Sequence, residues 1–355
     1  MGVFDAIESH EQVIFGVDGR SGLRTIIAIH STALGPALGG TRFYPYPSEE
    51  AALTDVLRLS RGMTLKSAAA GLDLGGGKAV IIGDPKTVRS ERLLRAYGGV
   101  VDSLGGRYIT AEDVGTTTED MVIIAKETRW VTGLPMAHGG SGDPSPATAR
   151  GVMAAMRATA ERIWGTDELA GRRVAVQGVG KVGMSLVKRL TEAGAETIVA
   201  DIDPAATDHA VATYGSKAVE LDEIFDVECD VFAPCALGGI LDETTIPRLR
   251  AQAVCGSANN QLATDDDAAR LADRGILYAP DFVVNAGGVI NIAVEMEGYS
   301  VERAMSMVDK IRDNLTAVFD TAEREKVDPN TAAVRFAQRR IDEIGTLRLH
   351  LEAGR

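Results

Sequence analysis

Two lysines in the first third of the chain, Lys66 and Lys78, have neighbours that favour acid–base chemistry. Lys78 directly follows Gly75–Gly77, whose lack of side chains lets the backbone and a ligand pack closely around it. If the two ammonium groups converge, each lowers the pKa of the other, and burial acts in the same direction. A lysine whose pKa falls toward the working pH can serve as a general base. The alternative interpretation is a plain glycine loop before a strand at 79–83.

A second motif, GxGxxG, comprises Gly178, Gly180 and Gly183. It follows an apolar strand-like segment at 174–177 and opens an amphipathic stretch at 184–193. In that context the glycines permit a tight turn and a close approach to pyrophosphate, while the helix N terminus supplies N–H donors. The pattern therefore predicts a dinucleotide-binding βαβ unit rather than an ordinary glycine turn.

An acidic residue, Asp201, ends the next predicted strand after this motif. A carboxylate at that point can accept hydrogen bonds from both ribose hydroxyls of a dinucleotide, and it repels a 2′-phosphate. No arginine adjoins Asp201 in the sequence. We therefore predict NAD rather than NADP as the cofactor.

The elements that must position these residues alternate between strand-like and helix-like segments, which predicts an α/β layer. Ser48 is predicted to cap a helix that carries Lys66 near its end and stops at Gly71. Asp113 could cap a helix beginning near Thr116, which is the structural alternative to a catalytic role. Further predicted elements of this region are strands at 23–30, 79–83 and 107–111 and a helix at 92–104.

The segment 133–146 is rich in glycine, proline and small polar residues, as interdomain connections are. A helix is predicted from Pro146 to about Trp164, with Ser145 as its N-cap. Later predicted strands lie at 172–177, 196–201, 229–234, 252–257 and 276–280, and helices close the chain from about Val289.

The fold class predicted from these patterns is α/β, with an N-terminal α/β sheet domain and a Rossmann dinucleotide-binding domain separated by a cleft. We place the first domain at 1–135, joined by the C-terminal helices of about 325–355. Its role as the substrate-binding, catalytic and oligomerisation domain is implied by a family resemblance that the motifs around Lys66, Lys78 and Asp113 carry. The Rossmann NAD-binding domain is placed at 136–324.

Composition excludes several classes of function. The net charge of −13 argues against a nucleic-acid surface, which needs clustered lysine and arginine. Three cysteines without a CxxC spacing suggest neither a disulfide framework nor a zinc site, and the five histidines show no ligand spacing, so no metal is predicted. The sequence has no membrane-length apolar run and no secretory pattern at its start, so we expect a cytoplasmic protein without a membrane partner.

Further motifs make the chain resemble the glutamate/leucine/phenylalanine/valine dehydrogenases. They are RGMTLKSAAAG around Lys66, GLDLGGGKAVI around Lys78, TAEDVGT around Asp113, and then GDPSPATARG, SANNQL and PDFVVNAGGV. They keep a constant order from about Leu34 to about Glu297. The resemblance implies an NAD-dependent homo-oligomeric enzyme that oxidatively deaminates an L-amino acid to its 2-oxo acid and ammonia, with hydride leaving Cα.

The resemblance also assigns roles to residues. Lys78 would be the general base that activates water to attack the imine carbon, Asp113 would move a proton at the amino nitrogen, and Lys66 would bind the α-carboxylate. The other implied substrate-binding positions are Leu38, Gly39, Gly40, Met63, Asn260, Val284 and Ile292. The implied cofactor-binding positions are Arg42, Ser145, Thr148, Gly178, Gly180, Lys181, Val182, Gly183, Asp201, Ile202, Ala236, Leu237, Ala258, Asn259 and Asn285. As alternatives, Asn259 and Asn260 could form a surface turn, and Asn285 could be a turn residue.

The substrate side chain is predicted to be apolar. Leu38 stands where the glutamate-specific members place a lysine, and Ile292 where they place a serine. A carboxylate buried without partners is costly, so glutamate is disfavoured. Within the family the chain resembles most the members that act on phenylalanine, so L-phenylalanine is the expected substrate and leucine or valine the alternative.

Two other classes of protein are compatible with a Rossmann unit. A non-catalytic NAD-sensing protein would need none of Lys66, Lys78 and Asp113, so their presence together argues against it. A 2-hydroxy-acid dehydrogenase would favour a histidine base with an arginine clamp, whereas the cluster here is built on lysine.

Overall fold

The computed structural model describes residue 7 and residues 9–352, with the backbone alone for 346–352. The chain divides into two compact units, the first comprising 1–143, 292–301 and 337–355 and the second 144–291 and 302–336. The predicted domain limits stay a prediction. They differ from the compact units, whose boundary falls between Asp143 and Pro144, and the outermost residues of the predicted first domain lie outside the described residues.

The first unit contains a five-stranded mixed sheet in the order β1-β2-β4-β3-β5. Strands β1 and β2 run antiparallel to their neighbours, whereas β3 is parallel to both β4 and β5. The strands are β1 Gln12–Asp18, β2 Leu23–Ser31, β3 Ala37–Tyr44, β4 Gly75–Ile82 and β5 Tyr108–Glu112. The helices are α1 Glu49–Ala69, α2 Pro85–Val88, α3 Glu91–Asp102 and α4 Thr118–Ile124.

Apolar layers cover both faces of this sheet. Ala52, Val56 and Leu57 of α1 are buried against Ile26 and Val80 on one face. On the other face, residues of α3 and α4 form a larger core with the strands, including Leu93, Leu94, Tyr97, Met121, Ile124, Phe43, Ile81 and Tyr108. A residue's position along β3, β4 or β5 therefore decides which of two layers its side chain enters.

The helix α1 begins and ends as the sequence predicts. Ser48 has extended backbone angles, and its hydroxyl accepts a hydrogen bond from the Ala51 N–H. Gly71 follows the last turn with a φ of +73°, a left-handed conformation that favours glycine. These two residues fix the limits of the helix that carries Lys66.

Two alternative interpretations of the first unit are wrong, and two of its strands were not predicted. The glycines before Lys78 lie inside β4 rather than in a loop. The helix after Asp113 begins at Thr118, and its cap is Thr117, whose hydroxyl accepts from the Asp120 N–H. The strands β1 and β3 were not expected, because β3 contains the glycines of ALGGTRFY and glycine weakens a strand signal.

The second unit contains a six-stranded sheet in which all strands are parallel, in the order β11-β10-β9-β6-β7-β8. The strands are β6 Arg173–Gln177, β7 Glu196–Ala200, β8 Lys217–Ala218, β9 Val231–Pro234, β10 Ala253–Val254 and β11 Leu277–Tyr278. The helices are α5 Ser145–Trp164, α6 Lys181–Glu192, α7 Pro204–Tyr214, α8 Asp266–Asp273, α9 Asp281–Val284, α10 Gly287–Glu295, α11 Val301–Asp309, α12 Ile311–Glu325 and α13 Pro329–Glu352. The predicted two-domain α/β class with a Rossmann-like parallel sheet is confirmed.

Three helices belong partly to each unit, and one helix start differs from the prediction. The unit boundaries fall within α10, after the first residue of α11, and within α13. In the first unit, Arg340 of α13 donates to the Gly71 carbonyl and to the Asp73 carboxylate.

Ser145 is not the cap of α5: Pro144 occupies that position, no side chain caps the helix, and Ser145 is already helical. No described helix is both long and apolar enough to cross a bilayer.

Candidate active site

The side chains of Lys78 and Asp113 form an ion pair in the first unit. The Lys78 Nζ lies 2.6 Å from a carboxylate oxygen of Asp113, and the two side chains are 8% and 23% exposed. Lys78 belongs to β4, and Asp113 follows the last residue of β5. In the sheet, β3 lies between β4 and β5, so Lys78 must reach Asp113 across it. The ion pair therefore requires close spacing of these three strands.

Two glycines of β3 provide that close approach. A Cβ added to Gly39 would overlap the Gly77 carbonyl oxygen, and one added to Gly40 would lie 2.5 Å from the Glu112 oxygen and 2.9 Å from the Asp113 Cβ. Neither position has room for a side chain. Gly39 and Gly40, predicted to line the substrate pocket, therefore also set the spacing of the strands that carry Lys78 and Asp113.

Arg42, which the resemblance assigns to the cofactor, contacts Asp113 of this ion pair. Its Nε lies 3.3 Å from an Asp113 carboxylate oxygen, and its Nη1 lies 2.8 Å from Asp55. The Tyr46 hydroxyl also donates to Asp55, at 2.6 Å. Burial alone would raise the pKa of Asp113, but the charges of Lys78 and Arg42 outweigh it and lower that pKa to about 2.

The turn after β5 fixes the backbone of Asp113. Its N–H donates to the Thr116 hydroxyl at 2.9 Å, and that hydroxyl lies 2.9 Å from the Thr41 carbonyl oxygen, to which it can donate. Gly115 has a φ of +82°, and a Cβ there would overlap the Phe43 carbonyl. Asp55 and Thr116 were missed from the sequence. A hydroxyl residue three positions after an aspartate is typical of a turn, so the sequence could have indicated Thr116. Asp55 lies on an amphipathic helix, and nothing in the local sequence indicates its contact with Arg42.

Met63 and Lys66 lie half-buried in the last part of α1. Thr64, between them, packs on Gly76: a Cβ on that glycine would overlap both the backbone and the hydroxyl of Thr64. This contact holds the end of α1 against β4 next to Lys78. The convergence of Lys66 with Lys78 stays a prediction.

In the second unit, the predicted phosphate loop connects β6 to α6. Gly178 has a φ of +95°, and a Cβ there would lie 2.6 Å from the Cβ of Ala236. A Cβ on Gly183 would overlap the Gly178 carbonyl, whereas no atom lies within 4 Å of the Cβ position of Gly180. Lys181 and Val182 begin α6. The loop therefore offers open space in front of a helix N terminus, which fits a pyrophosphate.

Asp201 directly follows β7 and is bonded to this loop. One carboxylate oxygen accepts the Val179 N–H at 2.6 Å, and the other accepts the Asp203 N–H at 2.9 Å. Each carboxylate oxygen retains a further lone pair for a ribose hydroxyl. The neighbouring Ile202 is 85% exposed, and Leu237, after β9, is 77% exposed.

A buried asparagine organises the loop after β10. The Asn285 amide donates to the Asn259 side chain at 2.9 Å and to the carbonyls of Ser257 and Ala258 at 3.2 and 3.3 Å. Its own Oδ1 is buried without a hydrogen-bond partner. Asn260 is exposed with a φ of +51°, as a turn residue would be. An unpaired buried acceptor fits the carboxamide N–H of a nicotinamide.

Thr148 and the glycines of the AGGV segment pack together. A Cβ on Gly288 would lie 2.9 Å from the Thr148 hydroxyl, and one on Gly287 would overlap the Ala147 carbonyl. The start of α10 thus lies directly against the first turns of α5, which begins at the buried Ser145. The remaining pocket candidates are Val284, buried in α9, Ile292, half-buried in α10, and Leu38, fully buried in β3.

Comparison with known proteins matches two family models along the chain. Residues 10–130 match the dimerisation domain of the Glu/Leu/Phe/Val dehydrogenases, and residues 139–207 and 202–348 match the Glutamate/Leucine/Phenylalanine/Valine dehydrogenase model. Leucine dehydrogenase of Geobacillus stearothermophilus is 54% identical over 344 residues, which is 96% of this chain and 94% of that protein. Valine dehydrogenase of Streptomyces virginiae is 52% identical over 337 residues, 94% of each chain.

A solved structure agrees with the fold. The crystal structure of L-tryptophan dehydrogenase from Nostoc punctiforme superposes with a TM-score of 0.86 at 45% identity, covering 97% of this chain and 99% of that one. The relatives above act, by their names, on leucine and valine, so the expected likeness to phenylalanine-specific members is not supported, whereas the predicted family is confirmed. The chain belongs to the Glu/Leu/Phe/Val dehydrogenases, a family of NAD(P)-dependent amino-acid dehydrogenases.

Proposed function

We propose that this protein oxidatively deaminates a branched aliphatic L-amino acid, leucine or valine, with NAD as the oxidant. The reaction converts the L-amino acid, NAD⁺ and water to the 2-oxo acid, ammonium, NADH and a proton. The observation that carries the proposal is the buried ion pair of Lys78 and Asp113, whose reacting atoms are 2.6 Å apart. Phenylalanine remains the weaker alternative, because a leucine and a valine dehydrogenase are each more than 50% identical to this chain over the aligned residues.

Lys78 is proposed to act as the general base. Its Nζ, once neutral, takes a proton from the water that attacks the imine carbon. The ionised Asp113 holds that nitrogen in one place and exchanges a proton with the substrate amino group. Lys66 binds the α-carboxylate. When bound, the cofactor supplies the acceptor for the hydride that leaves Cα.

Arg42 is proposed to position Asp113 rather than to bind the cofactor. Its guanidinium contacts both Asp55 and Asp113. Burial lowers the pKa of Arg42, but the two carboxylates raise it by more, so the pKa lies above its ordinary value. A cation fixed in this way keeps Asp113 ionised when Lys78 gives up its proton.

The loop at Gly178–Gly183 is proposed to hold the pyrophosphate of NAD, with Asp201 on the adenosine ribose. The carboxylate of Asp201 would repel a 2′-phosphate, which favours NAD over NADP. Asn285 would accept a hydrogen bond from the nicotinamide carboxamide through its unpaired oxygen. A homo-oligomer is also proposed, because the matched model of the first unit describes a dimerisation domain.

The apolar side chain of the substrate is proposed to meet Leu38. Direct pairing of Leu38 with Gly76 and with Ile109 puts it on the sheet face that Gly40 and Lys78 share. Leucine there leaves no cation for a side-chain carboxylate, which disfavours glutamate. The apolar floor expected from Leu38 with Ile292 stays a prediction.

The test is NADH absorbance at 340 nm with a panel of L-leucine, L-valine, L-phenylalanine, L-glutamate and 2-hydroxyisocaproate. The largest kcat/KM is expected with leucine or valine, and glutamate should remain near background. Reduction of NAD only by the hydroxy acid would indicate a 2-hydroxy-acid dehydrogenase. NAD binding without turnover of any amino acid would indicate a sensor, and either result would overturn the proposal.

A further inference from the structure

Four arginines line a cavity of about 420 Å³ in the second unit. Arg150 and Arg157 lie two helical turns apart on one face of α5, Arg189 lies near the end of α6, and Arg312 lies at the start of α12. The other lining residues are Met153, Ala154, Glu192, Ala193 and Asp309. The four arginines in this one cavity contrast with the net charge of −13 of the whole chain.

Two of these arginines are neutralised by carboxylates. Arg150 makes a two-pronged ion pair with Asp309, at 2.6 and 2.7 Å. Arg312 pairs with Glu161 and with Asp167, each at 2.8 Å. These contacts tie α12 and the end of α11 to α5, so they account for their arginines structurally.

The other two arginines have no such explanation. Within the part of the chain that the structure describes, neither Arg157 nor Arg189 forms an ion pair with a carboxylate. Arg157 is exposed, and the Nε of Arg189 is buried without any hydrogen-bond partner. Among the described residues, the Arg189 guanidinium makes a single hydrogen bond, which it donates to the Pro146 carbonyl at the long distance of 3.5 Å. A buried donor left unpaired is costly, so an acceptor that reached the Arg189 Nε would be stabilised there.

We propose that this cavity binds a diphosphate group, either free or as part of a larger molecule. Guanidinium groups match phosphate oxygens with pairs of N–H donors, and two unpaired guanidiniums suit two adjacent phosphates. The volume lies within the range of about 300–1,000 Å³ that small-molecule sites occupy. Glu192 also lines the cavity, but its carboxylate lies 3.9 Å from Lys188, which offsets its charge.

This site is separate from the proposed cofactor loop. The loop adjoins the N terminus of α6, whereas Arg189 lies near the C terminus of the same helix. A helix of 12 residues is roughly 18 Å long, too far for one pyrophosphate to reach both ends. Occupation of the arginine site should therefore be compatible with bound NAD.

The test is titration calorimetry of inorganic pyrophosphate into the full-length protein in the presence of saturating NAD, which fills the loop at Gly178. Saturable binding with one site per chain is expected, at least about tenfold tighter than inorganic phosphate. Arg157→Gln should weaken pyrophosphate binding about tenfold, and Arg157→Gln combined with Arg189→Gln should abolish it. Turnover by Arg157→Gln should equal that of the parent protein.

The matched control is Arg20→Gln, which removes the same charge from an exposed position in the first unit. It should leave pyrophosphate binding unchanged. The proposal is overturned if the parent protein gives no saturable heat, if Arg157→Gln and Arg20→Gln bind equally, or if phosphate binds as tightly as pyrophosphate. Because Arg157 has no ion pair to lose, its substitution should leave the unfolding midpoint intact, and binding can be compared directly.

Discussion

The glycines of β4 and those of the loop before α6 both stand directly before a lysine, yet the spatial neighbours of the glycines in the two units differ. Gly39 and Gly76 lie within strands, where other backbones fill the space a side chain would need. Gly180 faces open space with no atom within 4 Å of its Cβ position. In the first region glycine brings protein groups together, and in the second it leaves room for a ligand. Similar composition thus accompanies the proposed reacting centre in one unit and the proposed cofactor-binding loop in the other.

The lysines beside the two glycine groups should differ most in their effect on turnover. Lys78 is buried on Asp113, whereas Lys181 is exposed. We expect Lys78→Ala to lower kcat by about 10²–10⁴-fold, the usual contribution of a general base. Lys181→Ala should change kcat little and raise the KM for NAD less than about tenfold. Steady-state kinetics with leucine measure both. Equal loss of kcat in the two variants would remove the distinction between the regions.

Adding one methyl group to each region should separate folding from cofactor binding. Gly39→Ala would overlap the Gly77 carbonyl, so we expect a loss of about 3 kcal/mol or more in the free energy of unfolding. Gly180→Ala meets no protein atom, so its stability should match that of the parent protein while NAD binding weakens. Urea unfolding and NAD titration give the two quantities. A Gly39→Ala protein with the parental free energy of unfolding would show that β3 and β4 can move apart without loss of stability.

The preference for NAD over NADP tests the proposed role of Asp201 in the second unit. In the parent protein, kcat/KM with NAD should exceed that with NADP by about 10²-fold, because the 2′-phosphate would meet Asp201. Replacing Asp201 with Ser and Ile202 with Arg should narrow that difference, since the exposed position 202 can present a guanidinium to the phosphate. If the parent protein uses both dinucleotides equally well, Asp201 does not bind the ribose.

The smallest expected effect is a dependence of the free energy of unfolding on pH, caused by His30 in the first unit. His30 accepts or donates a hydrogen bond at the Thr64 hydroxyl that packs on Gly76. Burial, with contributions from His10 and Arg61, lowers the pKa of His30 to about 4. The unfolded chain therefore binds this proton first, and stability falls as the pH decreases from about 6.5 to 4.

Solvent screening reduces this effect to the order of 1 kcal/mol, because His30 is only half-buried. Unfolding midpoints measured at pH 7 and pH 5 would detect it, and His30→Gln should flatten the dependence. Substitution of the exposed His209 provides the control. A His30→Gln protein with the parental pH dependence would assign the effect to other groups, such as His10.

The second region was easier to predict from sequence because its contacts are local. The strand, the glycine turn and the helix at 173–192 are consecutive, and Asp201 ends the next strand. Ser48 and Gly71 could also be identified, since caps depend on adjacent residues. The strand β3 could not, because Gly39 and Gly40 weaken its signal and only the distant Gly77 and Asp113 explain them.

The partners of the catalytic pair were hidden for the same reason. Arg42 carries no local mark that it would contact Asp55 and Asp113, which are brought to it by α1 and β5. Its assignment to the cofactor came from family resemblance alone. The sequence thus predicted Lys78 and Asp113, which the structure pairs, whereas the groups that contact Asp113 depend on tertiary packing.

The discontinuity of the first unit has a consequence for biosynthesis. Arg340, which bonds Gly71 and Asp73, emerges from the ribosome only after the whole of the second unit has been made. At about 5–20 residues per second, the roughly 190 residues between Asp143 and Ala337 take about 10–40 s. For that interval the segment after α1 lacks both hydrogen bonds from Arg340, so the first unit reaches its final set of contacts only after the second unit has been synthesised.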